Sequence, residues 1–283
     1  MTITAKEVNE LRIQTGAGMM DCKKALTESN GDMQAAIDYL RKKGAKVAEL
    51  RAGRESNEGV VVAITTEDGK EGVAVQISCE TDFVAKNEDF VNFAKEIANH
   101  ALAHKFATKE ELVASTMNGS TITEQLQGKV AAIGEMIQIG AYTRMTGDCI
   151  VPYIHAGYKM GVLVGLNKDK NDAVYAIGRD VAMQIAAMNP VAIDADSVAP
   201  EAIEREKNII MDTMKADPKM EGKPEEMLAK IAEGKIGAFF KENTLLNQAF
   251  VKDGSKSVAQ VLKEVAADLT VTSFKRVTLG TNA

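Results

Sequence analysis

From Gly59 to Cys79 the chain reads GVVVAITTEDGKEGVAVQISC. Two β-branched runs, Val60–Thr65 and Gly72–Cys79, flank the turn-forming residues Glu67-Asp68-Gly69-Lys70-Glu71, a pattern that predicts a β-hairpin. The period then changes. From about Asn87, the residues Phe90, Phe93, Ala94, Ile97 and Ala101 fall on one stripe of a helix. The same order recurs downstream. Ile150–His155, a glycine turn and Gly161–Leu166 predict a second hairpin, and a helix follows through Val174, Ile177, Val181 and Ile185 to a stop at Asn189-Pro190. Phe93-Ala-Lys-Glu-Ile97 aligns with Ile177-Gly-Arg-Asp-Val181, so the core reads as two copies of a β-β-α unit.

The copies differ between strand and helix, where the first is about five residues longer within Glu80-Thr81-Asp82-Phe83-Val84-Ala85-Lys86. Phe83 then has two readings. It is either an exposed apolar tip that wedges into a partner, or a side chain folded back into the core beside Phe90; pattern alone tilts towards the core. Between the copies, Thr108-x-x-Glu111 and Thr123 begin further helices, the second carrying Leu126, Val130 and Ile133 up to Gly134, and Met136–Met145 reads as a strand. A helix at Ser257–Leu262 precedes a last strand, Val271–Leu279. The expectation is an α+β fold with two three-stranded antiparallel sheets and helices packed on them.

Working towards the N-terminus, Thr4-x-x-Glu7 is a capping box ahead of Val8 and Leu11. Gly16-Ala17-Gly18 ends that helix, and a second carries Met19, Met20, Cys22, Ala25 and Leu26 to Asn30-Gly31. Asp32 caps a third, with Met33, Ala36, Ile37 and Leu40 on one face, and a charged helical linker plus loop leads from Arg41-Lys42-Lys43-Gly44 to Gly59. Gly16-x-Gly18 follows a helix and lacks a Gly-Lys-Ser/Thr ending, so it is a helix–helix turn and not a phosphate loop. Towards the C-terminus, Pro200 opens a helix with Ile203, Ile210 and Met214 on one side, Lys215–Lys223 is expected to turn, and Pro224 starts a second helix with Met227, Leu228, Ile231 and Ala232. This antiparallel hairpin reads either as an interaction arm, homodimerisation included, or as a solvated spacer. The resulting organisation is residues 1–55 a three-helix module and linker, 56–146 and 147–199 the two core halves, 200–244 the arm, and 245–283 the completion of the second half with a C-terminal module.

Composition narrows the function. The 283 residues carry 34 Lys plus Arg against 40 Asp plus Glu, a net charge of −6, which argues against a sequence-independent grip on nucleic acid. The absence of Trp and an aromatic content of 5% argue against base-stacking platforms. The longest uncharged stretch, Val181–Ile193, is shorter than the about 20 residues of a membrane span and contains Pro190. Three scattered cysteines, Cys22, Cys79 and Cys149, and an N-terminus without signal-peptide character point to a reducing, cytoplasmic setting. His100 and His104 are spaced as a minimal metal pair without a third ligand or an HExxH pattern, and His155 at a strand end has no nucleophile beside it. No catalytic motif is present, no cofactor or metal is expected, and the chain reads as a binding protein and not an enzyme.

Two motifs in order sharpen this. Thr15-Gly-Ala-Gly-Met-Met-Asp-Cys-Lys-Lys-Ala-Leu26 with Asn30-Gly31-Asp32, and Cys79-Glu-Thr-Asp-Phe-Val-Ala-Lys86, resemble the hallmarks of the bacterial elongation factor Ts family. The resemblance continues through Ile133-Gly134, His155-Ala156-Gly157 and Ser257-Val258-x-x-x-Leu262. It implies a ubiquitin-associated-like N-terminal module, a duplicated core, a coiled-coil arm and a short C-terminal module. It also implies guanine-nucleotide exchange on elongation factor Tu, GDP-bound and nucleotide-free, in protein biosynthesis. By that resemblance Thr81, Asp82, Phe83 and Val84 form the loop that disturbs the partner's Mg²⁺ and phosphate site, with His155 supporting it. Ile133 and Gly134 lie against the partner, and Leu11, Arg12, Met19 and Met20 present an N-terminal contact. Two other functions compete: an adaptor binding peptides through its N-terminal helices, and a metal enzyme using His100, His104 and His155.

Overall fold

The first helix, α1 (Ala5–Thr15), opens with the expected capping box: Thr4 Oγ1 accepts from Glu7 N, and the Glu7 carboxylate accepts from Thr4 N. The computed structural model describes residues 3–155, 157–217, 220 and 223–280. Helices α2 (Met19–Glu28) and α3 (Met33–Arg51) follow, the latter capped by the Asp32 carboxylate. At 11 and 10 residues α1 and α2 are marginal alone, and the apolar stripes of all three helices meet: Val8, Leu11, Cys22, Ala25, Leu26, Ala36 and Leu40 form one small core.

The first core half begins with β1 (Glu58–Thr65) and β2 (Glu71–Cys79), paired antiparallel with Val62 opposite Val75. Their turn closes on Asp68, whose carboxylate accepts from Lys70 N and from Thr66 Oγ1. The added residues of this copy form a one-turn helix, α4 (Asp82–Ala85), before α5 (Glu88–His104), which Asn87 caps. Helix α6 (Lys109–Ala114) leads to a two-stranded ladder, β3 (Thr116–Met117) with β4 (Ser120–Thr121), which the sequence reading did not anticipate. Helix α7 (Ile122–Ile133) starts two residues earlier than expected. Its cap is Thr121, because Glu124 supplies the reciprocal bond of a capping box, and Thr123 instead turns its hydroxyl onto Val113 O. Strand β5 (Gln138–Thr146) then adds beyond β2 to give the order β1-β2-β5.

The second half repeats this plan with β6 (Cys149–His155), β7 (Met160–Leu166) and α8 (Asp172–Met188). The arm intervenes as α9 (Pro200–Ala216) and α10 (Glu225–Asn243), whose mutual packing buries Ile210 and Met214 and leaves Ile209, Met211 and Met227 exposed. The expected turn between them contains Pro218 and Gly222, which lie outside the described residues. A second small ladder, β8 (Ala249–Phe250) with β9 (Asp253–Ser257), precedes α11 (Val258–Val265), capped by Ser257. Strand β10 (Val271–Thr278) completes the sheet order β10-β7-β6.

Strand alternation places the layers. Val60, Val62, Val73, Val75 and Ile77 face outward onto α5 and α7, and Val151, Val162, Val164 and Leu166 face outward onto α8 and α11. The opposite faces of the two sheets lie against one another through Ala63, Ala74, Ile150 and Leu163. The sheets approach closely where the seam carries glycine. A Cβ on Gly72 would come 2.8 Å from Ile150, and one on Gly161 would come 2.8 Å from Val61. The fold is therefore helix, sheet, sheet, helix, with the three-helix module docked at one side. Among the described residues no helix is long and apolar enough to cross a membrane.

Candidate protein-interaction site

Helix α4 is where the two readings of Phe83 part. Thr81 is its N-cap and accepts from Val84 N, Asp82 opens it, and Lys86 closes it. Within one helical turn successive side chains diverge by about 100°. Val84 and Ala85 consequently rest on the first core, while Phe83 is turned out and remains 84% exposed. Phe90, the alternative neighbour, is only 2% exposed and belongs to that core by itself. The core reading of Phe83 is overturned: the space beside Phe90 is already filled by residues at helical spacing.

Beside Phe83 sits an ionised carboxylate. Asp82 Oδ2 accepts from Lys86 Nζ at 2.6 Å, and that ammonium holds its carboxyl below the ordinary value. Lys159, in the turn between β6 and β7, adds to the effect across space. That turn is therefore close to α4, and it is tied down on both sides: Val61 N donates to Tyr158 O, and Leu279 N donates to Lys159 O. His155 ends β6 at the same tip, exposed, with Tyr153 Oη 3.0 Å from its Nδ1. Its motif neighbour Ala156 lies outside the described residues.

Two glutamates missed in the sequence frame the loop. Glu80 accepts from Met136 N at 2.7 Å and from Arg51 Nη1 at 2.8 Å, and the first of these chiefly holds its carboxyl low. Glu135 accepts from the amides of Glu80 and Thr81 and from the Thr81 hydroxyl. These bonds bring the end of α7 to the loop. Ile133 is half out of the core there, and Gly134 takes φ +81°, a left-handed cap that a side chain would strain. A thiol completes the base: Cys79 Sγ lies 3.2 Å from Thr81 O, and burial pushes its pKa up to about 12.

The N-terminal patch is separate. Arg12 is exposed, and so are Met19 and Met20 at the start of α2. Leu11 is not: it is fully buried between the three helices, so its place in the contact set is corrected. The exposed apolar residue of α1 is Ile13, two positions on and on the opposite face. Helix α3 links this module to the loop through Arg51 and to α7 through the ion pair of Arg41 with Glu124.

The histidine pair carries no ligand geometry. His100 Nε2 is 2.9 Å from Ser115 Oγ, His104 Nδ1 is 3.0 Å from His100 O, and His155 belongs to the other sheet. Among the described residues no three His, Cys, Asp or Glu side chains converge into a metal-ligand set.

What the arrangement offers is an interaction surface: a protruding aromatic beside an anion, framed by a hairpin tip, a helix end and the last strand. The comparisons with known proteins agree with a translation factor of this kind. The profile of the family described as Elongation factor TS matches residues 80–281. A relative named Elongation factor Ts from Amoebophilus asiaticus is 49% identical over 280 residues, covering 99% of this chain and 100% of its own length. Similar proteins of the same name from Cytophaga hutchinsonii, 50% identical over 98% of this chain and 99% of their own, and from Clostridium perfringens, 45% identical over 97% and 92%, span the whole fold. The chain belongs to the elongation factor Ts family.

Proposed function

We propose that this protein is the guanine-nucleotide exchange factor of elongation factor Tu, and that it acts by binding alone. The observation that carries the proposal is Phe83, 84% exposed on a turn whose other face is anchored in the core. A large apolar side chain held out in water in this way costs free energy until a partner covers it.

GDP is retained by its nucleotide protein chiefly through phosphate contacts and through Mg²⁺, which neutralises phosphate charge. A factor that binds best to a partner conformation unable to make those contacts weakens nucleotide binding. Phe83 supplies the apolar wedge that favours that conformation. Asp82, ionised and adjacent, either opposes the phosphate charge or caps a partner helix, with Thr81 and Val84 fixing the turn. Ile133 with Gly134 and the His155 tip extend the contact, the strand beginning at Val271 adds a further one, and Arg12, Met19 and Met20 form the N-terminal contact. Faster release also requires a transient complex of factor, partner and nucleotide. Which nucleotide rebinds depends on its concentration and not on this chain. Self-association through the arm would use the exposed Ile209, Met211 and Met227. A sedimentation coefficient that stays monomeric across concentration removes it.

The test is release of fluorescent GDP from elongation factor Tu, with wild type and Phe83→Ala side by side. Wild type is expected to accelerate release, and the variant to lose about ten-fold or more of that acceleration. Equal acceleration by both removes Phe83 from the mechanism. A folded wild type that fails to accelerate release from a cognate partner favours the adaptor reading instead.

A further inference from the structure

A four-residue helix has no stability of its own, so the direction of Phe83 must be imposed from outside α4. Helix α4 is followed by a tight turn into α5, and Val84 and Ala85 grip one side of it. A long-range restraint comes from Glu135, a residue 54 positions from Thr81 in sequence. Its Oε2 accepts from Glu80 N at 3.1 Å and from Thr81 N at 3.0 Å, and its Oε1 accepts from Thr81 Oγ1 at 2.6 Å. The reverse bond, Met136 N to the Glu80 carboxylate at 2.7 Å, makes the staple reciprocal. A carboxylate is the one side chain that offers acceptors on both arms at this reach, and charge-assisted bonds of this kind are roughly twice as strong as neutral ones.

We propose that Glu135 is the positioning residue of the exchange loop, fixing the Thr81 cap so that Phe83 points outward and stands at a set distance from the Ile133-Gly134 contact. This inference rests on the wedge reading of Phe83. Glu135 touches neither nucleotide nor reacting atoms; it acts through the order of α4. Without it, Glu80 and Thr81 lose their amide partner, the cap loosens, and the wedge samples many directions. The partner must then pay the ordering entropy on binding. A Gln at this position keeps an acceptor for the two amides and turns its NH₂ to the Thr81 hydroxyl, which can accept in its turn. Glu135→Gln is therefore a partial rescue, and Glu135→Ala is not.

The chain has no Trp, so Phe83→Trp places a single fluorescent reporter at the wedge of the full-length protein. Time-resolved anisotropy is expected to show that reporter tumbling with the protein. Adding Glu135→Ala should convert about half or more of its decay to fast local motion, and Glu135→Gln should leave most of it slow. In the natural chain Glu135→Ala should slow GDP release at saturating factor concentration about ten-fold, and change it about two-fold or less when Phe83 is already Ala. If Glu135→Ala is not obtained folded, Thr81→Ala removes the 2.6 Å bond from the other side and is expected to free the reporter likewise. Unchanged anisotropy, or an exchange defect of equal size with and without Phe83, overturns the inference. Impaired exchange by Phe83→Ala together with normal exchange by Glu135→Ala overturns this inference alone. Normal exchange by Phe83→Ala overturns the wedge reading and this inference with it.

Discussion

Phe83 and Phe90 are seven residues apart and have opposite surroundings, one exposed and one buried, and the difference is measurable without any partner. Truncating an exposed side chain leaves stability within about 0.5 kcal/mol, whereas Phe→Ala in a filled core costs about 3–5 kcal/mol. Phe83→Ala should therefore unfold at nearly the wild-type temperature while failing in exchange, and Phe90→Ala should lose stability first. The carboxylates Glu71 and Glu80 make a second prediction. Lys105 and then Arg144 hold the Glu71 carboxyl below its ordinary value of 4.5, and Met136 N with Arg51 does so for Glu80. A depressed folded pKa contributes stability that is complete above the ordinary value and is lost as pH falls through the lowered one. Thermal unfolding midpoints should thus hold from neutral pH down to about pH 5 and fall steeply below about pH 4. Glu71→Gln should lower the midpoint at neutral pH and flatten that acid limb; an acid limb unchanged in the variant removes Glu71 as a cause.

The N-terminal helices reach the core through one crossing, α3 against α7. Gly44 makes the approach possible, since a Cβ there would lie 2.6 Å from the Gln127 carbonyl oxygen. Backbone cannot yield as a flexible side chain does, so Gly44→Ala should cost about 1–3 kcal/mol and act by separating the helices. Hydrogen exchange should then quicken in α3 beyond Gly44 and along the facing part of α7, with the two inner sheets unaffected. Uniform quickening throughout the chain would show that the two bodies fold as one unit. The same crossing carries Arg51 to Glu80, so the helix that docks the N-terminal module also touches the base of the Glu80–Lys86 loop.

Across the molecule, the Glu80–Lys86 loop, the Ile133-Gly134 end of α7 and the His155 tip come from distant stretches of sequence to the ends of two stacked sheets, while Arg12, Met19 and Met20 stand apart on the N-terminal helices. Exchange by such a surface obeys linkage. The factor by which this protein weakens GDP binding must equal the factor by which GDP weakens its own binding to elongation factor Tu, typically about 5–150-fold for coupled sites. Titrating the partner with this protein, with and without saturating GDP, and GDP with and without this protein, should close that cycle. Phe83→Ala should reduce both factors together. A variant that lowers affinity for the partner equally in both nucleotide states would place Phe83 in binding and outside the coupling.

Local chemistry was legible in the residues. The two hairpins, the repeated β-β-α unit, the caps at Thr4 and Asp32, the helix starts near Asn87 and Ser257 and the arm all follow from period and turn composition within short windows. The added segment at Glu80–Lys86 was also visible, because comparing two copies exposes an insertion without any structure. Long-range partnership was not. Whether Phe83 turned in or out depended on Val84, Ala85 and Phe90 filling the core ahead of it. Leu11 could join a contact surface on paper, yet three helices close over it completely. Glu80 and Glu135 look like any surface acids in sequence; they become a staple only because β2 ends beside the left-handed cap at Gly134. Periodicity encodes which face of an element is apolar, whereas a hydrogen bond between residues 54 positions apart exists only once packing has brought their elements together.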